Sequence, residues 1–364
     1  MSAINFFEGG PLSVLKDCLL SLNNSKYATE FRILALVHKI ELFNLADYPR
    51  VQFVEFSKGR NSYFHRLYYE YIYFKKLALN EKVSFWFSLH DITPNVGNIP
   101  QAVYCHNPSP FNTVNISDIY VQPTQFFFRL FYKYLYQINI KKNKFVVVQQ
   151  MWMKNKFAEL FELPNNKIIV ALPKIPQISV EYIEEQKSDE ISFLFPTYPR
   201  PFKNIEVICQ AVQILNNEGI KNFSVKVTID GSENKYSALI VKQYRGLNNL
   251  NFVGLLDRNS VYSQYGKTHC LIFPSKLETW GLPISEFKQY YKPMIIADLP
   301  YAKETVGSYE EVAFFKPDSA IQLASYMKQV IDGKAFEKRR AYNQIYEYPF
   351  AEGWEDLFDL LISK

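Results

Sequence analysis

The residues best placed to do chemistry in this sequence are two glutamates, Glu278 and Glu286, in the stretch FPSKLETWGLPISEF at 273–287. Gly281, Leu282 and Pro283 lie between them, and proline suits the first turn of a helix. We therefore expect a helix whose first N–H groups, around Gly281 to Ser285, are free to bind an anion. A carboxylate beside such a site can accept two hydroxyl hydrogen bonds, as a sugar ring or a ribose offers.

The elements around this stretch predict an α/β fold. Residues 191–298 alternate short apolar strands with segments of helical spacing, which is typical of a parallel sheet wrapped by helices. The predicted strands are 191–196, 223–231, 251–256, 269–275 and 293–298, and the predicted helices are 204–219, 232–246, 260–268 and 283–291. Because HCLIF ends a strand, Glu278 follows at the edge of the sheet where ligands bind.

The first half of the chain is similar but less regular. Candidate strands lie at 31–38, 51–56, 83–91, 101–107 and 144–150, with helices at 61–79 and 123–138. We predict an N-terminal Rossmann-like domain at 1–175, a linker at 176–190, a C-terminal Rossmann-like domain at 191–345 and a returning helix within 346–364. Two such halves imply a cleft between them.

Composition narrows the function classes. With 48% hydrophobic and 21% charged residues, the 364-residue chain is expected to be folded, and two domains are the natural division. Four scattered cysteines indicate neither structural zinc nor a disulfide framework, and no secretory signal or membrane span is apparent. We therefore expect a cytoplasmic protein. The net charge is +5, with the basic excess in the first half.

The region from Phe273 to Gly307 resembles the nucleotide-sugar site of the retaining glycosyltransferases of family 4, which have the GT-B fold. The residues in register are Phe273, Pro274, Ser275, Glu278, Gly281, Leu282, Pro283, Glu286, Pro293, Glu304 and Gly307. The resemblance implies that Glu286 holds the ribose hydroxyls and that Glu278, in the catalytic centre, holds hydroxyls of the donor sugar. It also implies that backbone near Gly281 and Leu282 contacts the donor.

Other segments match the family in order along nearly the full chain. By resemblance, Gly9 and Gly10 form a loop that approaches the donor phosphate, and His106 in YCHNPSP is a catalytic residue near the reacting sugar. SLHDITP at 88–94 matches a first-domain strand end, and PFAEGWEDLFDLL at 349–361 matches the helix that crosses back to the first domain, with Trp354 as its packing anchor.

The donor's diphosphate is expected to bind cations of TYPRPFKN. Lys203 matches the family lysine, whereas the family arginine position is Thr197 here, so that Arg200 is expected to act from a different backbone position. Tyr291 also departs from the family, which usually has a small residue there. No Asp-x-Asp occurs in the chain, so we expect no metal and no cofactor beyond the nucleotide-sugar substrate.

The resemblance therefore predicts a retaining, metal-independent glycosyltransferase that moves a sugar from a nucleoside-diphosphate sugar to a glycan hydroxyl in bacterial surface polysaccharide synthesis. A GT-B nucleotide-sugar epimerase and a non-catalytic nucleotide-sugar binding protein are the alternatives. The basic, aromatic segments 66–76 and 126–144 fit either an anionic membrane surface, on the cytoplasmic side with a lipid-linked acceptor, or helix faces packed in the core. No motif indicates nucleic acid.

Overall fold

A computed structural model of the chain describes residues 1–108, 111, 133–175, 177, 190–337 and 340–362. The described residues fall into two compact units. The first unit contains the residues up to Lys174 and those from Ile345 onward, and the second contains those between Ile175 and Gln344. Nearly all of the expected linker, 176–190, lies outside the described residues, as does most of the expected helix at 123–138, of which 133–137 is helical.

An eight-stranded parallel sheet forms the centre of the first unit. Its strands, in chain order, are β1 (Ser2–Ala3), β2 (Ile33–Val37), β3 (Val51–Glu55), β4 (Trp86–Ser88), β5 (Gln101–Tyr104), β6 (Phe145–Val148), β7 (Ile168–Ala171) and β14 (Phe350–Ala351). Their order across the sheet is β14-β7-β6-β5-β4-β1-β2-β3. Strands β1, β4 and β5 are therefore neighbours, and the loops that follow them lie at one edge.

Helices cover both faces of this sheet. They are α1 (Gly9–Asn24), α2 (Tyr27–Glu30), α3 (Lys58–Asn61), α4 (Tyr63–Tyr68), α5 (Phe74–Asn80) and α6 (Met151–Phe161), with 3₁₀ turns at Ile40–Leu42, Leu45–Asp47, Ile140–Lys142 and Asn165–Lys167. A π-helical turn, Tyr69–Tyr73, joins α4 to α5. The helix expected at 61–79 is thus divided into three pieces.

The chain returns to the first unit after the second unit is complete. Strand β14 pairs with β7, and the last helix, Trp354–Ile362, packs on α1. The Trp354 ring is buried with its centroid 5.5 Å from that of Tyr104, and the Tyr27 hydroxyl donates to Asp359 Oδ1 at 2.7 Å. The apolar face of this helix therefore completes the core of the first unit, as expected for Trp354.

A six-stranded parallel sheet forms the second unit. Its strands are β8 (Ile191–Phe195), β9 (Phe223–Val227), β10 (Leu250–Phe252), β11 (Cys270–Phe273), β12 (Met294–Ala297) and β13 (Val312–Phe315), in the order β10-β9-β8-β11-β12-β13. The helices are α7 (Ile205–Asn217), α8 (Lys235–Tyr244), α9 (Arg258–Lys267), α10 (Leu282–Lys288), α11 (Pro300–Val306) and α12 (Ala320–Ile331), and a 3₁₀ turn spans Pro201–Lys203. We number the returning helix Trp354–Ile362 as α13.

The alternation of strands and helices expected for this unit is confirmed, but several predicted elements were too long. The helix expected at 283–291 ends at Lys288, and in the first unit the strand expected at 83–91 pairs only at Trp86–Ser88. Three residues beyond the observed end of each element, Asp91 and Tyr291 have left-handed backbone, with φ of +70° and +55°. Among the described residues, no helix is both long and apolar enough to cross a membrane.

Candidate functional site

The second unit brings together the loops after two neighbouring strands. Strand β8 leads into the segment that ends at Lys203, and β11 leads into the loop that carries Glu278. The backbone N–H of Lys276 donates to the Phe202 carbonyl at 2.7 Å, which ties the two loops together. Parallel pairing of β8 with β11 therefore places these two side chains at the same edge of the sheet.

Lys203 and Glu278 form an ion pair there, with 2.5 Å between Lys203 Nζ and Glu278 Oε1. Their side chains are only 18% and 15% exposed, so the pair is shielded from bulk water on most sides. The Lys203 ammonium also lies 5.9 Å from the centre of the Phe273 ring. Both sequence-predicted residues thus occupy one site, and each already satisfies part of the charge of the other.

Gly281 sets the path of the chain between the two glutamates. Its φ is +86°, and a Cβ built on it would lie 3.2 Å from Ile284 Cδ1 and 3.5 Å from Phe273 Cε1. Both the left-handed backbone and the close packing favour glycine. Pro283 lies in the first turn of α10, as expected, and the Trp280 Nε1–H donates to Ser285 Oγ at 2.9 Å.

One part of the expected anion site is corrected by the structure. The backbone N–H of Ile284 donates to the Gly281 carbonyl at 2.9 Å, because the first turn of α10 is tight, and Pro283 has no N–H. The N–H groups from Gly281 to Ser285 are therefore not all free, and α10 has only seven residues.

Glu286 lies within α10 and is buried, with 10% of its side chain exposed. The Tyr265 hydroxyl donates to its Oε2 at 3.1 Å and the Tyr262 hydroxyl to its Oε1 at 3.4 Å. Arg258 Nη2 is 3.8 Å from Oε1. Burial raises the pKa of Glu286 above its ordinary value, and the two tyrosine bonds and the charge of Arg258 oppose that rise only in part.

The remaining donor-side residues lie near the same loops. Arg200 immediately precedes the 3₁₀ turn Pro201–Lys203, and its guanidinium lies 5.0 Å from the centre of the Tyr198 ring. Thr197, at the position of the family arginine, donates its backbone N–H to Thr228 Oγ1 at 2.7 Å. Glu304 is buried on α11, and Gly307 ends that helix with φ of +60°.

The first unit has a separate cavity of about 300 Å³ at the edge where β1, β4 and β5 end. The residues that line it are Asn5, Phe6, Phe7, Glu8, Pro11, Arg66, Asp91, His106, Asn107 and Pro108. Gly9 and Gly10 fall between two lining residues and begin α1. Gly9 has φ of +64°, and a Cβ on either glycine would meet open space, so Gly9 is needed for its conformation rather than for packing.

Asp91 holds the His106 segment in this cavity. Its Oδ1 accepts the backbone N–H groups of His106 and Asn107 at 2.8 and 3.0 Å, and its Oδ2 lies 3.9 Å from His106 Nε2. The Phe6 ring packs edge-on against the imidazole with 5.0 Å between centroids. His106 Nδ1 is buried and makes no hydrogen bond with the described residues.

Two further charged side chains in this part of the first unit were not singled out by the sequence analysis: Arg66 lines the cavity, and Glu70 is buried. Arg66 Nη2 donates to the His90 carbonyl at 3.3 Å, and its buried Nε has no hydrogen-bond partner among the described residues. Glu70, in the π-helical turn, lies 2.5 Å from His90 Nε2, and both side chains are fully buried. The histidine of SLHDITP therefore pairs internally, and the next residue, Asp91, is the one that lines the cavity.

The two basic, aromatic segments contain both exposed side chains and side chains packed in the core. In 66–76, Leu67, Tyr68 and Ile72 are 40%, 47% and 64% exposed, whereas Phe74 is fully buried. Of 126–144, residues 126–132 lie outside the described part. In the rest, Tyr134 is exposed and Tyr136 is buried in the core.

No metal centre is apparent in the part of the chain that the structure describes. Within the described ranges, no group of three or more His, Cys, Asp or Glu side chains is arranged to hold a metal ion. The groups placed to meet negative charge in the second unit are instead the Lys203 ammonium and the guanidinium of Arg200.

Residues 181–346 match the model of a family described as glycosyl transferases group 1. The matched segment makes up a little less than half of the chain. It contains the whole Lys203, Glu278 and Glu286 site, so the resemblance found in the sequence is confirmed at the level of the group 1 family. The subdivision into family 4 and the retaining mechanism remain predictions.

Known proteins are also similar to most of the chain. The O-antigen chain mannosyltransferase RfbU of Salmonella typhimurium is 21% identical over 294 residues, which cover 75% of this chain and 80% of that protein. A glycosyltransferase from Rickettsia africae superposes with a TM-score of 0.64 at 15% identity, covering 92% of this chain and 88% of that one.

The Anabaena protein HepE, solved in complex with UDP and glucose, superposes with a TM-score of 0.61 at 12% identity, covering 91% and 89% of the two chains. The fold is GT-B, with two sheets of eight and six parallel strands, and that prediction is confirmed.

Proposed function

We propose that this group 1 chain is a retaining glycosyltransferase that moves a sugar from a nucleoside-diphosphate sugar to a glycan hydroxyl. The observation that carries the proposal is the second-unit site. There a shielded lysine–glutamate pair lies in the loops that follow two parallel strands, and a second carboxylate, Glu286, lies on the helix that follows one of these loops. A nucleotide sugar offers a diphosphate for the lysine and two sets of hydroxyls for the carboxylates.

Each side chain has a role that its surroundings support. Lys203 neutralises charge on the diphosphate, and Arg200 adds a second cation from the same loop. Glu278, already bonded to Lys203, accepts hydroxyl hydrogen bonds from the donor sugar, and Glu286 accepts those of the ribose. The lysine stabilises the charge that grows on the phosphate as the glycosidic bond breaks, which is the electrostatic term that usually dominates such catalysis.

In the reaction, the bond between the anomeric carbon and the diphosphate oxygen breaks and takes its electron pair to the phosphate. The acceptor oxygen forms a bond to the anomeric carbon on the same face and gives its proton to the departing phosphate. His106, which lines the first-unit cavity, contacts the reacting sugar in this proposal. In this scheme the protein supplies positive charge without a metal ion and needs no nucleophile of its own.

The acceptor class follows from the relatives. The Salmonella relative is named as an O-antigen chain mannosyltransferase, and the Anabaena structure contains UDP and glucose. We propose that this chain likewise acts in bacterial surface polysaccharide synthesis, on the cytoplasmic side, with a lipid-linked glycan as acceptor. The first-unit cavity with Asp91, His106 and Arg66 is the acceptor-binding part of this proposal.

An exposed aromatic surface on α4 and the π-helical turn supports contact with an anionic membrane. Tyr63, Phe64 and Ile72 are 64%, 86% and 64% exposed, and Lys75 and Lys76 are exposed beside them. Interfacial aromatic side chains and nearby lysines are the combination that peripheral membrane helices use.

Flotation with anionic vesicles at low salt tests this contact. The wild type should float with the vesicles, and Phe64→Gln combined with Ile72→Gln should not. Ile321→Gln, which removes an exposed isoleucine from α12 in the second unit, is the matched control and should float like the wild type. Wild-type protein that stays at the bottom of the gradient contradicts membrane binding.

The donor site is tested by titration calorimetry with UDP, GDP and their sugar conjugates, in EDTA and in magnesium. We expect one base to bind in both buffers and Glu286→Ala to abolish that binding. The anomer formed on a glycan acceptor, determined by NMR, then tests retention. Binding without transfer to any acceptor favours a binding protein, and interconversion of free nucleotide sugars favours an epimerase.

A further inference from the structure

Helix α9 presents three polar side chains to one carboxylate. Arg258, Tyr262 and Tyr265 are spaced four and three residues apart, which places them on one face of the helix. That face lies against α10, where Glu286 is buried. The sequence of this helix is otherwise polar, and its pattern predicts only an ordinary surface helix.

The hydroxyl groups of the two tyrosines donate to different oxygens of the Glu286 carboxylate. Tyr265 bonds Oε2 at 3.1 Å and Tyr262 bonds Oε1 at 3.4 Å. Arg258 Nε–H donates to the Tyr262 hydroxyl at 2.5 Å. Because that bond uses the hydroxyl oxygen as an acceptor, the proton of Tyr262 is directed to Glu286.

Tyr265 is also fixed by its packing. It is fully buried, with its ring centroid 5.4 Å from that of Phe287 and 5.7 Å from that of Tyr290. The plane of the Glu286 carboxylate is therefore set by a ring that has no room to move. A carboxylate has about four acceptor positions, so two hydroxyl donors leave two positions for other groups.

We propose that Tyr265 and Tyr262 are positioning residues that orient the Glu286 carboxylate so that its two remaining acceptor positions meet the vicinal hydroxyls of a ribose. This inference depends on the proposed function, in which Glu286 binds the nucleotide. It assigns to α9 the selection of ribonucleotides over deoxyribonucleotides. Arg258 supports that selection through Tyr262.

The test compares the binding of a ribonucleoside diphosphate with that of its 2′-deoxy counterpart by titration calorimetry, using UDP and dUDP, or GDP and dGDP if guanine is the base bound. In the wild type we expect the ribose form to bind about tenfold or more tightly, as one lost charge-assisted hydrogen bond predicts. In Tyr265→Phe the ratio should fall to about threefold or less, with the deoxy affinity nearly unchanged. An unchanged ratio in Tyr265→Phe overturns the proposal.

A matched control is available in the same unit. The Tyr236 hydroxyl, also buried, donates to Glu206 Oε2 at 2.6 Å, so Tyr236→Phe removes a tyrosine–carboxylate bond of the same kind. It should lower stability and leave the ratio of ribose to deoxyribose affinity as in the wild type. If Tyr265→Phe does not fold, Tyr262→Phe, which is less buried, provides the same comparison.

The outcomes separate the two proposals. If the wild type binds no nucleoside diphosphate, the proposed function itself fails. If it binds both forms equally, or if the tyrosine variants discriminate as the wild type does, the donor site stands and the role assigned to α9 is wrong.

Discussion

Lys203 and Glu278 are 75 residues apart in the chain and meet with 2.5 Å between Nζ and Oε1. The contact exists because β8 and β11 are adjacent parallel strands whose following loops share one edge of the sheet. A lysine that already has a carboxylate partner is held in place before any diphosphate arrives. The pair therefore positions the cation and limits the reorganisation that the reaction requires.

This pairing makes the two side chains energetically dependent on each other. Lys203→Met and Glu278→Gln should each lower the free energy of unfolding by about 1–3 kcal/mol, because each leaves a shielded partner unsatisfied. The double variant should cost less than the sum of the singles. Urea denaturation measures this, and strict additivity would show that the two side chains are not coupled.

Catalysis should respond differently from stability at the same pair. Under the proposed function, in which both groups contact the donor, each single variant should lower kcat/KM by about 10²-fold, and the double variant should not recover. Initial rates with the donor identified by calorimetry provide the measurement. Recovery of the rate in the double variant would show that the ion pair has a structural role and that neither side chain is needed to contact the donor.

The ionised Glu286 carboxylate is expected to lower the free energy of unfolding, although the proposed function requires it for donor binding. Its raised pKa means that, between the ordinary carboxyl value of 4.5 and the raised one, the folded protein binds more protons than the unfolded protein. Stability contributed by this group is therefore lost as the pH rises through that window. Glu286→Gln should raise the free energy of unfolding at pH 7.5 by about 1 kcal/mol and abolish donor binding.

Urea denaturation of Glu286→Gln and of the wild type at pH 5 and pH 7.5 tests the sign of this difference in the free energy of unfolding. The advantage of the variant should be larger at pH 7.5. Donor affinity of the wild type should also weaken as the pH falls through the raised pKa, since protonation removes an acceptor. A variant less stable than the wild type at both values would mean that the tyrosine bonds outweigh burial.

Asp91 combines a left-handed backbone with two hydrogen bonds to its side chain. Asp91→Asn should cost less than about 1 kcal/mol, because asparagine tolerates positive φ and keeps an acceptor oxygen. Asp91→Ala should cost about 2–3 kcal/mol, because the N–H groups of His106 and Asn107 lose their acceptor. Thermal or urea unfolding measures the loss of stability in each variant. Equal losses in the asparagine and alanine variants would contradict the role of the Asp91 side chain as an acceptor for these N–H groups.

Tyr291 should be a site at which one substitution adds stability. Its φ is +55° and its side chain is 85% exposed, so the residue contributes strain and little packing. Tyr291→Gly should raise the free energy of unfolding by about 0.5–1 kcal/mol, and Tyr291→Ala, which keeps the strain, should not. A glycine variant no more stable than the alanine one would argue against strain at this position.

Much of the second unit could be predicted from sequence. Its strands are short apolar runs between turn signals, and the spacing of Glu278, Gly281, Pro283 and Glu286 indicated a loop followed by a helix, as observed. The conformation of Tyr291 also explains why a small residue is usual there. The sequence did not show which face of α9 packs on α10. The contacts of Tyr262 and Tyr265 with Glu286 depend on that packing.

The first unit was harder to predict for a related reason. Its strands β1 and β14 have two residues each, too few for any periodicity, and they are strands because neighbouring strands pair with them. Arg66 and Asp91 reach the cavity through tertiary packing of α4 and the β4 loop. Arg66 begins a segment of aromatic and basic residues that suggested a membrane-contacting surface, so its place in the cavity was not predicted. Asp91 was missed because the resemblance drew attention to the histidine before it, His90.

The first unit is built from segments on both sides of the second in the chain. Strand β14 and helix α13, with Trp354, Leu357 and Phe358 in the core, follow the second unit in the chain and are therefore synthesised after it. While the second unit is being synthesised, the first unit still lacks α13 and exposes the apolar groove that this helix later fills. The segment expected to fold last is thus part of the domain whose synthesis begins first, which reverses the usual N-terminal-first order.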